Sequence, residues 1–236
     1  MLLGGTIIST VEFHGNMSLV IFLATCPLKC PYCHNGELLD GGVETSLRSI
    51  SKTIDDSADF LDAVVLSGGE PLTQVNDLID ILKYARSIGL KTKLDTAGIY
   101  PERLEQVLDL VDYVAMDIKA PFNKYKEVIG ADVGDKVKKS MELVASRDDV
   151  TLECRTTFVP ALLTKNDICQ ITKEINCDIY TLQQFRNRNV LDKSLEEVES
   201  PNAVELKKLA ISLKQSLPNI TVKVKTSEFG EEIINK

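Results

Sequence analysis

Short apolar runs and helix-period segments take turns along almost the whole chain, and this alternation limits the fold more than any other feature of the sequence. SLVIFLAT (18–25) and DAVVLSGGEP (62–71) are apolar stretches of strand length, the pattern of strands buried on both faces. Residues 45–58 read as helix. In QVNDLIDILKYARSIG (74–89), Val75, Leu78, Ile79, Leu82 and Ala85 fall at helical spacing before a capping Gly89. Strand text returns at LKTKLDTAG (90–98), YVAMDIK (113–119), VTLECRTTFVP (150–160) and CDIYTLQQF (177–185). Helical text fills 101–111, opened by Pro101, and then 133–146, 164–175 and 200–217. NITVKVKT (219–226) reads as a last strand whose pairing the sequence leaves open. Strand and helix alternating about six times argue for a parallel α/β sheet, with the loops at strand C-termini on one rim. About six units are too few for a closed eight-stranded barrel. The expectation is therefore a partial (βα)6 parallel barrel, with a flat doubly wound sheet as the alternative.

The 236 residues suit one domain, since α/β barrels run to ~200–250 residues as single units. The expected core spans about 17–185, with a further helix and strand at 200–226. The net charge of −8 repels phosphate backbones, so nucleic acid is not an expected partner. MLLGGTIIST lacks the basic start and long apolar run of a signal peptide, and the longest apolar run, Leu19 to Ala24, is too short to span a bilayer. A cytoplasmic protein without a membrane role is expected.

The unusual polar residues collect where the strands end: the cysteine loop after the first, Ser67–Pro71 after the second, then Asp95-Thr96, Asp117-Ile118-Lys119, Arg155 and Gln183-Gln184. In parallel α/β proteins the ligand site lies at that rim. Six cysteines in such a chain point to metal binding or catalysis rather than disulfides. Cys26, Cys30 and Cys33 cluster as C-x3-C-x2-C, whereas Cys154, Cys169 and Cys177 are scattered and read as small apolar residues. A structural zinc site draws four ligands from separated segments, and His34, next to Cys33, is poorly placed to be the fourth. An iron–sulfur cluster can take successive thiolates from one loop, and three of them leave one iron of a four-iron cluster without a protein ligand.

C-x3-C-x-aromatic-C, with Tyr32 as the aromatic, resembles the signature of the radical S-adenosylmethionine (SAM) enzymes. The resemblance implies a [4Fe–4S] cluster on Cys26, Cys30 and Cys33, whose vacant iron is chelated by the amino and carboxylate groups of SAM. SGGEP resembles the superfamily's GGE motif, which implies that Gly68, Gly69 and Glu70 hold the SAM amino group. VIFLATCPLKCPYCHN, LSGGEPLTQ, KLDTAG, YVAMDIKAPF, RTTFVP and LQQF occur in the order typical of glycyl-radical-enzyme activating proteins. They look most like the short activating proteins of anaerobic ribonucleoside-triphosphate reductase, with pyruvate formate-lyase activases next. The match runs from about Gly5 to Phe185, and residues 34–67 hold no cysteine, as in the class with one cluster.

By the same resemblance Asp95 and Thr96 sit near SAM, Asp117 assists a cation site, Lys119 approaches SAM, Arg155 lies near the SAM carboxylate, and Gln184 lies at the adenosyl end. From the residues alone, plain Asp117–Lys119 and Glu153–Arg155 ion pairs are the alternatives. Formate-lyase activases carry methionine two positions before the aspartate, where this chain has Ala115, with Met116 one position off. The implied activity is reductive cleavage of SAM and installation of a glycyl radical on a partner enzyme, with an electron donor such as flavodoxin or ferredoxin. The competing readings are a radical SAM enzyme with a small-molecule substrate and a zinc-binding interaction module.

Overall fold

The structure, a computed structural model, describes residues 1–235 and contains one ten-stranded sheet. The strands are β1 (Leu2–Ser9), β2 (Ser18–Leu23), β3 (Val43–Glu44), β4 (Ala63–Gly68), β5 (Lys91–Thr96), β6 (Tyr113–Asp117), β7 (Thr151–Phe158), β8 (Ile179–Gln184), β9 (Thr221–Thr226) and β10 (Gly230–Ile233). The helices are α1 (Leu47–Asp55), α2 (Val75–Ser87), α3 (Pro101–Glu105), α4 (Tyr125–Ile129), α5 (Gly134–Ala145), α6 (Lys165–Glu174) and α7 (Ala203–Ser216). The spatial order is β10-β9-β8-β7-β6-β5-β4-β2-β1-β3, and every pair from β2 to β9 is parallel. The six expected strands are all present in that run. The C-terminal strand, whose pairing was open, is β9, which lies parallel beside β8.

Alternate residues of the parallel strands face two different surroundings. Leu66, Leu94, Val114, Leu152, Leu182 and Val224 point outward and are fully buried in the main apolar cluster with helix residues such as Leu78, Leu104, Val137, Ile168 and Leu213. Ser67, Asp95, Asp117, Arg155, Gln183 and Lys225 point inward and line one cavity. Inward residues from β2 round to β9 meet there, so the sheet is curled, while its outer strands β3 and β10 do not pair with each other among the described residues. This is the expected partial barrel. Local signals fix the helix starts: Ser46 caps α1, and Thr164 and Asp167 form a reciprocal capping box at α6.

The N-terminal hairpin adds a part that the sequence did not show. β1 pairs antiparallel with β2, and the turn between them folds under the lumen. The Phe13 ring lies 5.2 Å from that of Tyr113 on β6, and the Lys93 ammonium sits near both rings and donates to the Glu12 carbonyl. The turn thus floors an interior that a closed barrel would fill with layers of side chains. β1 escaped the sequence reading because Ile7 and Ile8 are both exposed and no alternation marks it. The segment 101–111 holds a shorter helix than expected, α3, followed by a 3-10 turn at Leu108–Leu110. Among the described residues no helix is long and apolar enough to cross a membrane.

Candidate active site

The cysteine loop leaves β2 through a strained residue. Thr25 has φ 73°, a left-handed conformation that a β-branched side chain rarely adopts and that costs roughly 1–3 kcal/mol. Surrounding contacts hold it there: its N–H donates to the Leu38 carbonyl (2.7 Å), its carbonyl accepts from the Glu70 N–H (2.9 Å), and its hydroxyl meets that of Thr73 (2.8 Å). The Gly68–Glu70 turn packs directly against this bend. A Cβ at Gly69 would lie 2.2 Å from the Thr25 carbonyl oxygen, and one at Gly68, where φ is 117°, would lie 2.3 Å from that of Leu23. The glycines are therefore required by the approach of two backbones. Beyond the bend, buried Leu28 and Tyr32 anchor the loop, Cys33 N–H closes a turn on the Cys30 carbonyl (3.0 Å), and the Leu191 N–H reaches the Cys33 carbonyl (3.1 Å).

Cys26, Cys30 and Cys33 all open onto a cavity of about 400 Å³ shared with Tyr32, Gly68, Gly69, Asp95, Thr96, Asp117, Lys119 and Arg155. Burial pushes the Cys26 thiol up to about 11 and raises Cys30 as well. In these surroundings a thiolate needs a neighbouring positive charge or a metal to form. No group of three or more His, Cys, Asp or Glu side chains among the described residues is gathered tightly enough to hold one metal ion. Three thiols from one loop that open onto a shared cavity can each serve a separate iron of a cluster.

The charged wall is tightly coupled. Asp117 accepts from Arg155 Nε through Oδ1 (3.0 Å) and from Lys119 Nζ through Oδ2 (3.1 Å). Burial works against the Asp117 carboxylate, but Lys119 and Arg155 hold its carboxyl at about 2. Despite burial, Asp117 lifts Lys119 well above its ordinary value, and Asp95 and Asp117 do the same for Arg155. Asp95 accepts from the Ser67 hydroxyl through Oδ2 (3.1 Å). Its Oδ1 is buried without a hydrogen bond, 3.4 Å from Arg155 Nη1 and 3.5 Å from Lys93 Nζ. Two flanking cations thus balance its charge without hydrogen-bonding to it.

Some expected site residues take other places. Glu70 does not line the cavity: it is fully buried, with Oε1 accepting from Leu72 N–H and the Thr96 hydroxyl and Oε2 from Ala97 N–H. Burial raises its carboxyl despite these three donors. Its side chain braces the ends of β4 and β5. Gln184 points away from the lumen, where its amide donates to the Pro201 carbonyl (2.8 Å) and accepts from Ser227 N–H (2.7 Å). By strand parity Gln183 faces the cavity instead, with Thr157 and Lys225. Arg155 bonds to Asp117 rather than to Glu153, which engages Tyr113 and Thr181. Ala115 shares the inward face of β6 with Asp117, and Met116 is buried under Gly98 on the other side. Glu12 and Lys225 are cavity residues that sequence reasoning missed, the last because the pairing of its strand was unknown.

Residues 20–171 match the radical SAM superfamily. A protein of Methanocaldococcus jannaschii, provisionally named a glycyl-radical enzyme activating enzyme, is 36% identical over 94% of this chain and 95% of its own. The pyruvate formate-lyase-activating enzyme of Clostridium pasteurianum is 30% identical over 84% of this chain and 90% of its own. Among solved structures, Streptococcus suis SuiB bound to its precursor peptide SuiA superimposes on 88% of this chain with a TM-score of 0.72 at 12% identity. This chain spans 48% of SuiB's length, and that likeness is one of fold. The chain belongs to the radical SAM superfamily, with the iron–sulfur cluster and SAM that membership implies, and within it to the glycyl-radical enzyme activating enzymes.

Proposed function

We propose that Cys26, Cys30 and Cys33 hold a [4Fe–4S] cluster and that the chain activates a glycyl-radical enzyme, with anaerobic ribonucleoside-triphosphate reductase as the partner. The observation that carries this is the cavity itself: three thiols from one loop face the Gly68–Gly69 backbone and the Asp95, Asp117, Lys119 and Arg155 wall. Held by these residues, a reduced cluster and SAM would supply the one-electron reductive cleavage of SAM that drives hydrogen-atom abstraction from the partner's glycine.

The chain's residues bind and orient. Gly68 and Gly69 allow the turn to approach the cysteine loop, and Thr96 holds Glu70, which keeps that turn in place. Asp95 and Thr96 line the space for SAM, with Asp95 held between Arg155 and Lys93. Lys119 and Arg155 present positive charge to the SAM carboxylate, and Asp117 keeps both cations fixed. Tyr32 closes the wall behind the loop and excludes water. The electron donor in this reading is a flavodoxin or ferredoxin.

The order and content of the motifs support the reductase as partner. Similarity to the Clostridium pasteurianum enzyme over most of both chains favours formate lyase as a second reading. Anaerobic incubation of the reduced protein with SAM and each purified candidate partner separates them. A glycyl-radical signal in electron paramagnetic resonance on the reductase alone supports the first, and a signal on formate lyase alone replaces it.

A further inference from the structure

A buried ammonium joins the floor of the lumen to the wall above it. Lys93 lies on β5, two residues before Asp95 and on the same inward face. Asp95 lines the cavity below the cysteine loop, whereas Lys93 lines a smaller chamber of about 200 Å³ beneath that cavity. Glu12, Arg155, Gln183 and Lys225 border both spaces, so the two are continuous.

The floor turn clamps the Lys93 ammonium from below. It donates to the Glu12 carbonyl and lies 5.8 Å from the centre of the Phe13 ring and 5.3 Å from that of Tyr113. Ring faces and a carbonyl compensate a buried ammonium in part. The remaining compensation comes from Asp95 Oδ1 at 3.5 Å, the one carboxylate oxygen within ion-pair distance of Lys93 among the described residues. The second cation beside Asp95 is shared. Arg155 reaches Asp95 with Nη1 (3.4 Å) but spends Nε and Nη2 on Asp117 (3.0 Å each). Without the Lys93 charge, a buried Asp95 carboxylate would draw Arg155 toward itself and away from Asp117.

We infer that Lys93 is a positioning residue for SAM. Its ammonium, fixed by the floor turn, sets where the Asp95 carboxylate stands on the SAM-binding wall and keeps Arg155 with Asp117. The N-terminal hairpin thereby acts on SAM through one side chain, although its own Phe13 lies in the chamber below the cavity. The inference rests on the reading of the upper cavity as the SAM site and is independent of which glycyl-radical enzyme is the partner.

A double-mutant cycle between Lys93→Met and Asp95→Asn tests it, in the full chain reconstituted anaerobically, with SAM binding read by equilibrium dialysis. Methionine keeps much of the length and the contact with the rings and removes the charge. Iron content and thermal midpoint are measured for each variant. The expected result is a SAM dissociation constant raised about tenfold by Lys93→Met at unchanged iron content, and less than about twofold further by the same change in the Asp95→Asn background. A constant unchanged by Lys93→Met, even with a lowered thermal midpoint, would show a merely structural lysine and overturn the inference. A tenfold rise that persists in the Asp95→Asn background overturns it too, because Lys93 would then not act through Asp95. Should Lys93→Met not fold, Phe13→Leu decides, since it keeps every charge and removes the ring beside the ammonium: a constant raised about threefold supports the inference and an unchanged one overturns it. If the unsubstituted, iron-loaded protein binds no SAM, the reading of the cavity falls and takes this inference with it.

Discussion

Leu94 and Asp95 are neighbours on β5 and answer to different demands. Leu94 points outward and is fully buried in the apolar cluster under the helices, and Asp95 points inward beside Lys93 and Arg155. The same division runs along β6, where Met116 precedes Asp117, and along β7, where Cys154 precedes Arg155. Burial of outward side chains stabilises the sheet at about 25 cal/mol per Å² of apolar area removed from water. Inward charges are costly to bury and are kept tolerable only by pairing. One face of each strand therefore builds the molecule and the other serves the site, and a substitution's effect should depend on which face it touches.

The sharpest break of that division is Cys30→Ala on the loop above the inner face. Iron binding and reductive SAM cleavage should be lost outright, measured as iron content and 5′-deoxyadenosine release, while the metal-free protein unfolds at nearly the parent temperature. The outer-face counterpart is Leu182→Ala, which should cost about 2–5 kcal/mol by urea denaturation and leave SAM affinity unchanged in the remaining folded protein. Equal damage to stability from the two would erase the distinction.

Gly69→Ala probes the position where both demands meet. Its added Cβ would fall 2.2 Å from the Thr25 carbonyl oxygen, so it should cost roughly 1–3 kcal/mol and also weaken SAM binding, read by denaturation and equilibrium dialysis. The smallest effect is a pH dependence. The Asp117 carboxyl sits at about 2 when folded, below the ~3.9 of an unfolded aspartate, so its contribution is present above about pH 4 and disappears as pH falls through about 2. With a third of the side chain open to solvent the contribution is modest. Asp117→Asn should flatten the unfolding free energy across that window, and an unaltered slope would show that the carboxylate is not held down.

Burial is what made the fold legible, because the continuous apolar run of β2 and the apolar periodicity of α2 are its direct imprint. The cysteine spacing and the SGGEP turn were legible for a local reason: each is one short segment whose geometry is set within itself. The inner face is set by which strands sit side by side, and a single sequence does not carry that. Gln183 and Gln184 are chemically identical, and only strand parity decides which one sees the cavity. Lys225 counted for nothing until β9 had a neighbour. Glu70 looked like a binding residue because its donors at Thr96 and Ala97 lie on another strand's end. Phe13 and Tyr113, which close the floor, are far apart in the chain.

The unclosed sheet has a second consequence, for how copies of the molecule treat one another. A barrel that joins its ends has no free edges, whereas this one ends in two rows of backbone groups available to another chain. Here the outermost strands are short: β3 has two residues, covering only Leu2 and Leu3 of β1, and β10 has four, both antiparallel to their neighbours. Acidic side chains sit on both, Glu44 on one and Glu231 and Glu232 on the other, in a chain that is already strongly negative. On β10 those acids are already paired, Glu231 with Lys223 and Glu232 with Lys207, so it is the shortness of the outermost strands that limits strand-to-strand aggregation.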